Sequence, residues 1–245
     1  MNHIAAVSYS RINVHEECNY RAYLAFVKKI KELPSPALEN GKEHPMDRGS
    51  RVHKTAEDFV RGASMPCVEM ETFLTEFKKL NQIYIENNES IHLETMWCFK
   101  ADWTPTVWND WDNIWLRIKT DLTLFLDPTT AVVVDYKTGK MWGNEVKHTE
   151  QAQLYAIGAF MMFPALETVH VELWYLDQDG LMGQTYTRAV AMKYFKKWSE
   201  RMDKVTDDRD FKANPNQHSC RYCPFKTGPV GKFGQQGTGD CERNP

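Results

Sequence analysis

The 245 residues are enough to bury a substantial core, and a balance of 42% hydrophobic to 26% charged residues excludes an intrinsically disordered chain. A formal net charge of −3 argues against coating nucleic acid with the whole surface, though it leaves room for a local basic groove. No apolar run approaches the roughly 18 residues of a membrane span, and "MNHIAAVSYSRINVHEEC" lacks a basic head followed by an apolar signal core. A cytoplasmic protein without a membrane partner is therefore expected. Its six cysteines are expected as thiols or as metal or cluster ligands rather than as disulfides.

In chain order, residues 8–33 read as a short polar start and then a helix with Tyr20, Tyr23, Leu24 and Val27 on its inner stripe. Pro34, Pro36, Gly41 and Pro45 make residues 33–50 a loop. A helix from about Ser50 to Arg61 carries Val52, Ala56, Phe59 and Val60, with His53 and Glu57 one turn apart, and a second amphipathic helix covers Glu69 to Asn87. Strands follow at "IHLETMWCFK", "IWLRIKTDLTLFL" and "AVVVDYK", the first two joined by the tryptophan-rich "ADWTPTVWNDWDN". Strict alternation in the second strand puts Leu116, Ile118, Leu122 and Leu124 on one face and Arg117, Lys119 and Asp121 on the other. A helix over about Asn144 to Met162, strands at "TVHVELWYLD" and "LMGQTYTRAV", and a last helix, "AMKYFKKWSERMDKVTDD", lead to an irregular tail. The sum is one α/β domain over 1–245, with an N-terminal segment 1–50, a core 51–205 and a tail 206–245.

The chemistry lies in "VVVDYKTGK". On a strand, Asp135 and Lys137 share a face while Val132, Val134 and Tyr136 point the other way. With Asp121 on a preceding strand, two carboxylates offer hard oxygen ligands suited to Mg²⁺ or Mn²⁺, and a lysine beside them can orient or help deprotonate a metal-bound water. Taken singly, each residue has an ordinary reading: His53 as a hydrogen-bonded core histidine, Asp121 as an edge charge, Asp135 with Lys137 as a solvated pair, Gln151 with Tyr155 as helix surface. Their order in the chain is what argues for a site.

That order, "RGSRVHKTAE", "KTDLTLFLD", "VVVDYKTGK" and "QAQLY", resembles the PD-(D/E)xK nuclease superfamily and within it the RecB-like exonuclease branch. The resemblance implies a restriction-endonuclease-like core, a mixed central sheet flanked by helices. It implies Asp121, Asp135, His53 and the Tyr136 carbonyl as metal ligands, Lys137 as the catalytic lysine, and Gln151 and Tyr155 one turn apart facing the same pocket. Glu94 is a further candidate acid. The second piece departs from the family's form, with Ile118, Lys119 and Thr120 where a glycine is usual.

Cys220 and Cys223 stand at C-x2-C spacing, Cys241 follows, and Cys18 lies near the other end. Such spacing lets two thiolates reach one metal or cluster while distant cysteines complete the set. The pattern resembles RecB-type nucleases with an iron-sulfur staple, including the AddB type and the CRISPR-associated adaptation nucleases. It implies that the N- and C-terminal segments join at a four-iron four-sulfur cluster, with zinc as the alternative metal. The seventeen residues between Cys223 and Cys241 exceed the usual gap and bring in His218 as a substitute ligand. Cys67 and Cys98 are expected as small buried hydrophobes.

Lys193, Lys197, Arg201 and Lys204 recur at helical spacing, which reads first as a solvated face and second as a phosphate-tracking stripe. Trp103, Trp108, Trp111 and Trp115 fit hairpin packing and single-strand stacking equally well. The expectation is a metal-dependent exonuclease on DNA ends or single-stranded DNA, in recombination, repair or mobile-element processing. A helicase or annealing protein is the expected partner, and a homo-oligomer is compatible with the resemblance. The alternatives are a structure-selective endonuclease on the same core and a non-cleaving iron-sulfur subunit that binds DNA ends.

Overall fold

The computed structural model describes residues 3–34, 36, 43–232 and 235–242. Ser8 caps α1 (Tyr9–Glu17) by accepting the Arg11 N–H at 3.4 Å. Cys18 then breaks the helix with an extended backbone, and α2 (Asn19–Ala22) and a π-helical turn (Tyr23–Val27) follow. The continuous helix expected from the Tyr20–Val27 stripe is thus interrupted at the cysteine. Next come α3 (Pro45–Val60), a 3-10 turn (Val68–Phe73) and α4 (Leu74–Glu86).

Strands β1 (Ile91–Phe99), β2 (Pro105–Thr106), β3 (Leu116–Asp127) and β4 (Thr130–Lys137) precede α5 (Glu145–Met162), β5 (Thr168–Tyr175) and β6 (Gly180–Thr187). The chain continues through α6 (Arg188–Ala191), α7 (Phe195–Thr206), α8 (Gln217–Arg221), β7 (Pro229–Val230) and β8 (Gln235–Gln236). One boundary differs from expectation. Helix α3 begins at Pro45 rather than Ser50, because proline needs no amide partner in a helix's first turn. Gly41 of the expected loop lies outside the described residues.

Contacts divide the chain into two compact units, 45–198 on one hand and 1–44 with 199–245 on the other. In the first, the sheet order is β2-β1-β3-β4-β5-β6, antiparallel except for the β4/β5 pair. A parallel pair needs a crossover, and α5 supplies it. One face of the sheet is covered by α3 and α4, where Val52, Ala56, Val60, Phe77 and Leu80 pack on Leu93, Leu122, Val134 and Tyr136. Each such side chain contributes roughly 1.5–3 kcal/mol on burial. On the other face α5 is buried all round from Ala152 to Phe160, as a helix without a polar stripe must be. It approaches so closely that a Cβ on Gly158 would stand 2.4 Å from Ile118 Cδ1 and 3.3 Å from the Trp97 ring.

These contacts correct the strict alternation expected of β3. Leu122 packs toward α3 and α4 whereas Ile118 meets α5, although both are even-numbered. Thr120, Asp121, Leu122 and Thr123 are buried in succession. The strand changes face at Asp121, opposite Glu94, whose φ is +51°.

The other unit brings the chain ends together. Leu24, Cys223 and Phe225 form its core, with Tyr20, Tyr23 and Cys241 packed against them. The His15 ring lies 2.9 Å from Asp208, and Arg201 donates to Glu16 at 2.7 Å. Close backbone approach fixes the cysteine-bearing tail: a Cβ on Gly237 would lie 2.1 Å from the Lys226 carbonyl oxygen, and the Cys241 N–H donates to Phe225 O at 2.8 Å. Gly237→Ala is expected to destabilise the protein by about 1–3 kcal/mol through this clash, read as a lower urea midpoint at unchanged m-value.

Candidate active site

The site is built from the register of three adjoining strands. Leu93 pairs with Leu122 and Thr95 with Thr120, so Glu94 and Asp121 occupy the intervening facing positions. The β3/β4 ladder begins at Leu122↔Val134, one step beyond which stand Asp121 and Asp135. Three carboxylates therefore lie in one row across the sheet. The ladder gives way at this row: the Tyr136 N–H donates to Asp121 Oδ2 at 2.7 Å instead of to a backbone carbonyl. Glu94 adopts the left-handed region, which costs a non-glycine residue on the order of 1–2 kcal/mol.

Helix α3 delivers His53 to the cleft side of this row, its Nδ1 3.0 Å from Asp121 Oδ1. His53, Glu94 and Asp121 each present a ligand atom, and these atoms all lie within 4.8 Å of one another. A nitrogen and two carboxylates at that spacing fit a divalent cation. Burial draws the His53 pKa down, but the Asp121 hydrogen bond and the charges of Asp121, Asp135 and Glu94 outweigh it and leave the pKa raised. The imidazole thus sits where positive charge is favoured. Lys119 forms an ion pair with Glu94, and the open cleft over these groups is lined by Gly49, Ser50, Lys54 and Glu57 of α3.

On the α5 side of the row, Asp135 is 5% exposed and accepts from Tyr155 OH at 2.5 Å and from Gln151 Nε2 at 3.3 Å. Lys137 Nζ lies 2.5 Å from Asp135 Oδ2, yet that oxygen has no hydrogen bond of good geometry, so the contact is chiefly one of charge. Lys137 donates instead to Gln151 Oε1 at 2.8 Å, and Gln151 Nε2 donates to Tyr155 OH at 2.8 Å. Burial, with the nearby charges of Asp135 and Asp121, pushes the Tyr155 hydroxyl well above its ordinary range, which keeps it a donor.

The structure brings together all the residues singled out on the strands and on α5, but in two groups: His53, Asp121 and Glu94 on one side, Asp135, Lys137, Gln151 and Tyr155 on the other. Tyr136 turns its ring into the α3/α4 core, 5.9 Å from the His53 ring. Of the four basic positions expected as a stripe, Lys197 is bound to Glu150 at 2.8 Å and Arg201 to Glu16, so no uninterrupted row of unpaired cations runs along α7.

Sequence reasoning missed the anchor of α3. Arg51 donates to Glu69 at 2.7 Å, and Arg48 bridges Glu69 and Asp177. Only a fold that sets the 3-10 turn beside α3 makes these partners, and spacing in the chain gives no sign of it. The other unit gathers Cys18, Cys220, Cys223 and Cys241 around one small cavity, with Arg21 and Ser219 also on its wall. Burial pushes the Cys223 thiol up, and its neighbours Cys241 and Cys18 add to the shift. Cys223 is buried and the other three thiols are half-buried.

The chain belongs to the PD-(D/E)XK nuclease superfamily, whose profile matches residues 6–227. Members of that class are metal-dependent phosphodiester hydrolases, and the His53, Glu94 and Asp121 group provides a place for a metal. Among solved structures, the protein named "Putative exonuclease" from Eubacterium rectale is 9% identical with a TM-score of 0.44, covering 86% of this chain and 84% of its own. SSO0001 is 9% identical with a TM-score of 0.36, covering 90% of this chain and 83% of its own. No curated protein matches the sequence. Among the described residues, no helix is long and apolar enough to cross a membrane.

The α3 anchor titrates. The Arg51 hydrogen bond, working against burial, holds the Glu69 carboxyl down to about 2 from an ordinary 4.5. A depressed folded-state pKa contributes stability that is present above about 4.5 and is lost as pH falls toward 2. Urea unfolding between these limits should show a loss on the order of 1–2 kcal/mol that Glu69→Gln removes, the figure being discounted for the half-exposed Arg51.

Proposed function

We propose that the protein is a metal-dependent DNA exonuclease acting on DNA ends or single strands. The observation that carries the reading is the row Glu94–Asp121–Asp135 with Lys137 two residues beyond its last member, in a chain of the PD-(D/E)XK superfamily. His53, Glu94, Asp121 and Asp135 would hold Mg²⁺ or Mn²⁺, with the Tyr136 carbonyl as a further ligand. The bound ion supplies Lewis acidity toward a phosphate oxygen and acidifies water. Lys137 holds the attacking water by its ammonium, and Gln151 fixes that ammonium through its Oε1. Tyr155 and Gln151 hold Asp135 in one rotamer from the buried side. Water adds to phosphorus as the bond to one ester oxygen breaks, and that oxygen leaves with a proton.

The four cysteines of the second unit would carry a four-iron four-sulfur cluster joining the chain ends, with zinc as the alternative metal. Cys241 lines the same cavity as the other three, which favours it over His218 as the last ligand. Such a nuclease belongs to recombination, repair or mobile-element processing, beside a helicase or annealing partner.

Cleavage of end-labelled linear and closed-circular single-stranded DNA with Mn²⁺ tests the reading. Linear DNA should be degraded and circles spared, and Lys137→Ala should lose at least about 100-fold in rate. Cutting of circles would make it an endonuclease, and no cleavage by a folded, metal-loaded chain would leave a non-cleaving DNA-end binder. For the cluster, the protein purified without oxygen should contain iron and sulfide. Cys18→Ser should lose both and melt lower than Cys67→Ser, since Cys67 lies away from the other cysteines, packed against the α3/α4 core with a hydrogen bond to Glu69. Equal melting points and unchanged iron would defeat it.

A further inference from the structure

The four tryptophans around the β1/β3 connection do not behave alike. Trp103 and Trp115 are 2% and 6% exposed and meet edge-on with centroids 5.8 Å apart, so they are packing residues. Trp108 and Trp111 are 48% and 63% exposed and stand 6.3 Å apart on the outside of the same loop. The loop is held rigidly. Asp110 accepts from Thr106 Oγ1 at 2.5 Å and from Asn113 Nδ2 at 2.8 Å, and Ile114 N–H donates to Asp110 O at 2.9 Å. These bonds also occupy the Asp110 carboxylate, the acid set between the two rings.

Beneath the pair lies Arg117 of β3. Its guanidinium sits 4.1 Å from the Trp108 ring centre and 5.4 Å from that of Trp111, and its Nε is buried without a hydrogen-bond partner. Two exposed indoles over a cation form an aromatic platform of the kind on which nucleobases stack. Arg117, Lys119 and Asp121 are alternate residues of one strand, and Lys119 lines the cleft containing His53 and Glu94. The rise of a strand places the platform about 14 Å from Asp121, a distance a few nucleotides span.

We propose that Trp108 and Trp111, backed by Arg117, form a base-stacking subsite for single-stranded DNA, and that the strand runs from it along β3 past Lys119 to the carboxylate row. This rests on the nuclease reading above and adds to it the substrate form, an unpaired strand. A duplex keeps its bases stacked inside and offers none to the platform. The occupant follows from shape and charge: exposed flat rings on a hydrogen-bonded loop suit bases, and the Arg117 guanidinium beneath them suits a strand that carries phosphates.

The test is fluorescence anisotropy of a labelled oligothymidylate with the 245-residue protein in EDTA, which prevents cleavage. Trp108→Leu/Trp111→Leu should weaken binding by about 10-fold or more. Trp108→Phe/Trp111→Phe should retain most of it, with both variants melting within a few degrees of the parent. A blunt duplex of equal length should bind the parent and both variants alike. Unchanged oligothymidylate binding in the Leu variant, or equal weakening by Phe and Leu, would overturn the subsite. If the parent still degrades linear single strands, that failure leaves the nuclease reading standing. A parent that neither binds nor cuts single strands would overturn both.

Discussion

The crowding of Glu94, Asp121 and Asp135 into one row of neighbouring strands is the constraint around which this half of the molecule is arranged. Two carboxylate oxygens within 4.8 Å repel by about 3 kcal/mol at an effective dielectric of about 20. A partly exposed ion pair such as Lys119 with Glu94 returns only about 0–1 kcal/mol. Surface pairing alone therefore does not offset the row, and buried donors must. The Tyr136 N–H, the Tyr155 hydroxyl, the Gln151 amide and His53 each point a hydrogen or a favoured positive charge at it.

The backbone follows from this. A regular ladder would spend the Tyr136 N–H on a carbonyl of β3 and leave Asp121 without its buried donor. The ladder stops one step earlier, β3 changes face, and Glu94 takes a left-handed conformation opposite. Local strain on the order of 1–2 kcal/mol is tolerated because the strands on both sides are well packed, by α3 and α4 at Leu93 and Leu122 and by α5 at Trp97 and Ile118. The Arg48 and Arg51 contacts to Glu69 then fix α3, and with it His53, over the opening.

Much of this could be read from residue order, and the unread part has a physical reason. The alternation of Val132, Val134 and Tyr136 against Asp135 holds because β4 is regular and lies between two strands. The same rule failed on β3, which changes face at Asp121 opposite the left-handed Glu94, and a period-two pattern carries no information about the backbone of a partner strand. Gln151 and Tyr155 at helical spacing met Asp135 together, as two residues one turn apart on a packed helix do. Glu94 was legible as a further candidate acid, and the register gives it its place opposite Asp121. The tryptophans looked equivalent in sequence, and only burial separates the two that pack from the two that face solvent. Cys18, Cys220, Cys223 and Cys241 lie up to 223 positions apart in the chain, yet line one cavity because both chain ends fold into one unit.

The two aspartates of the row end in different circumstances although they are chemically the same. Asp135 is held by a buried hydroxyl that stays protonated, by an amide and by an ammonium, all carried by α5 or by β4 itself. Asp121 has one fixed donor, the Tyr136 N–H on Oδ2, and on Oδ1 only an imidazole whose proton is exchangeable and whose ring borders the open cleft. A cation approaching from the cleft can take the place of that proton, and His53, Glu94 and Asp121 already present their ligand atoms to it. Asp135 presents an Oδ2 that carries no hydrogen bond, while Tyr155 and Gln151 keep its Oδ1. The two aspartates thus differ in how their donors are held, Asp135 between side chains of α5 and β4 and Asp121 beside the open cleft.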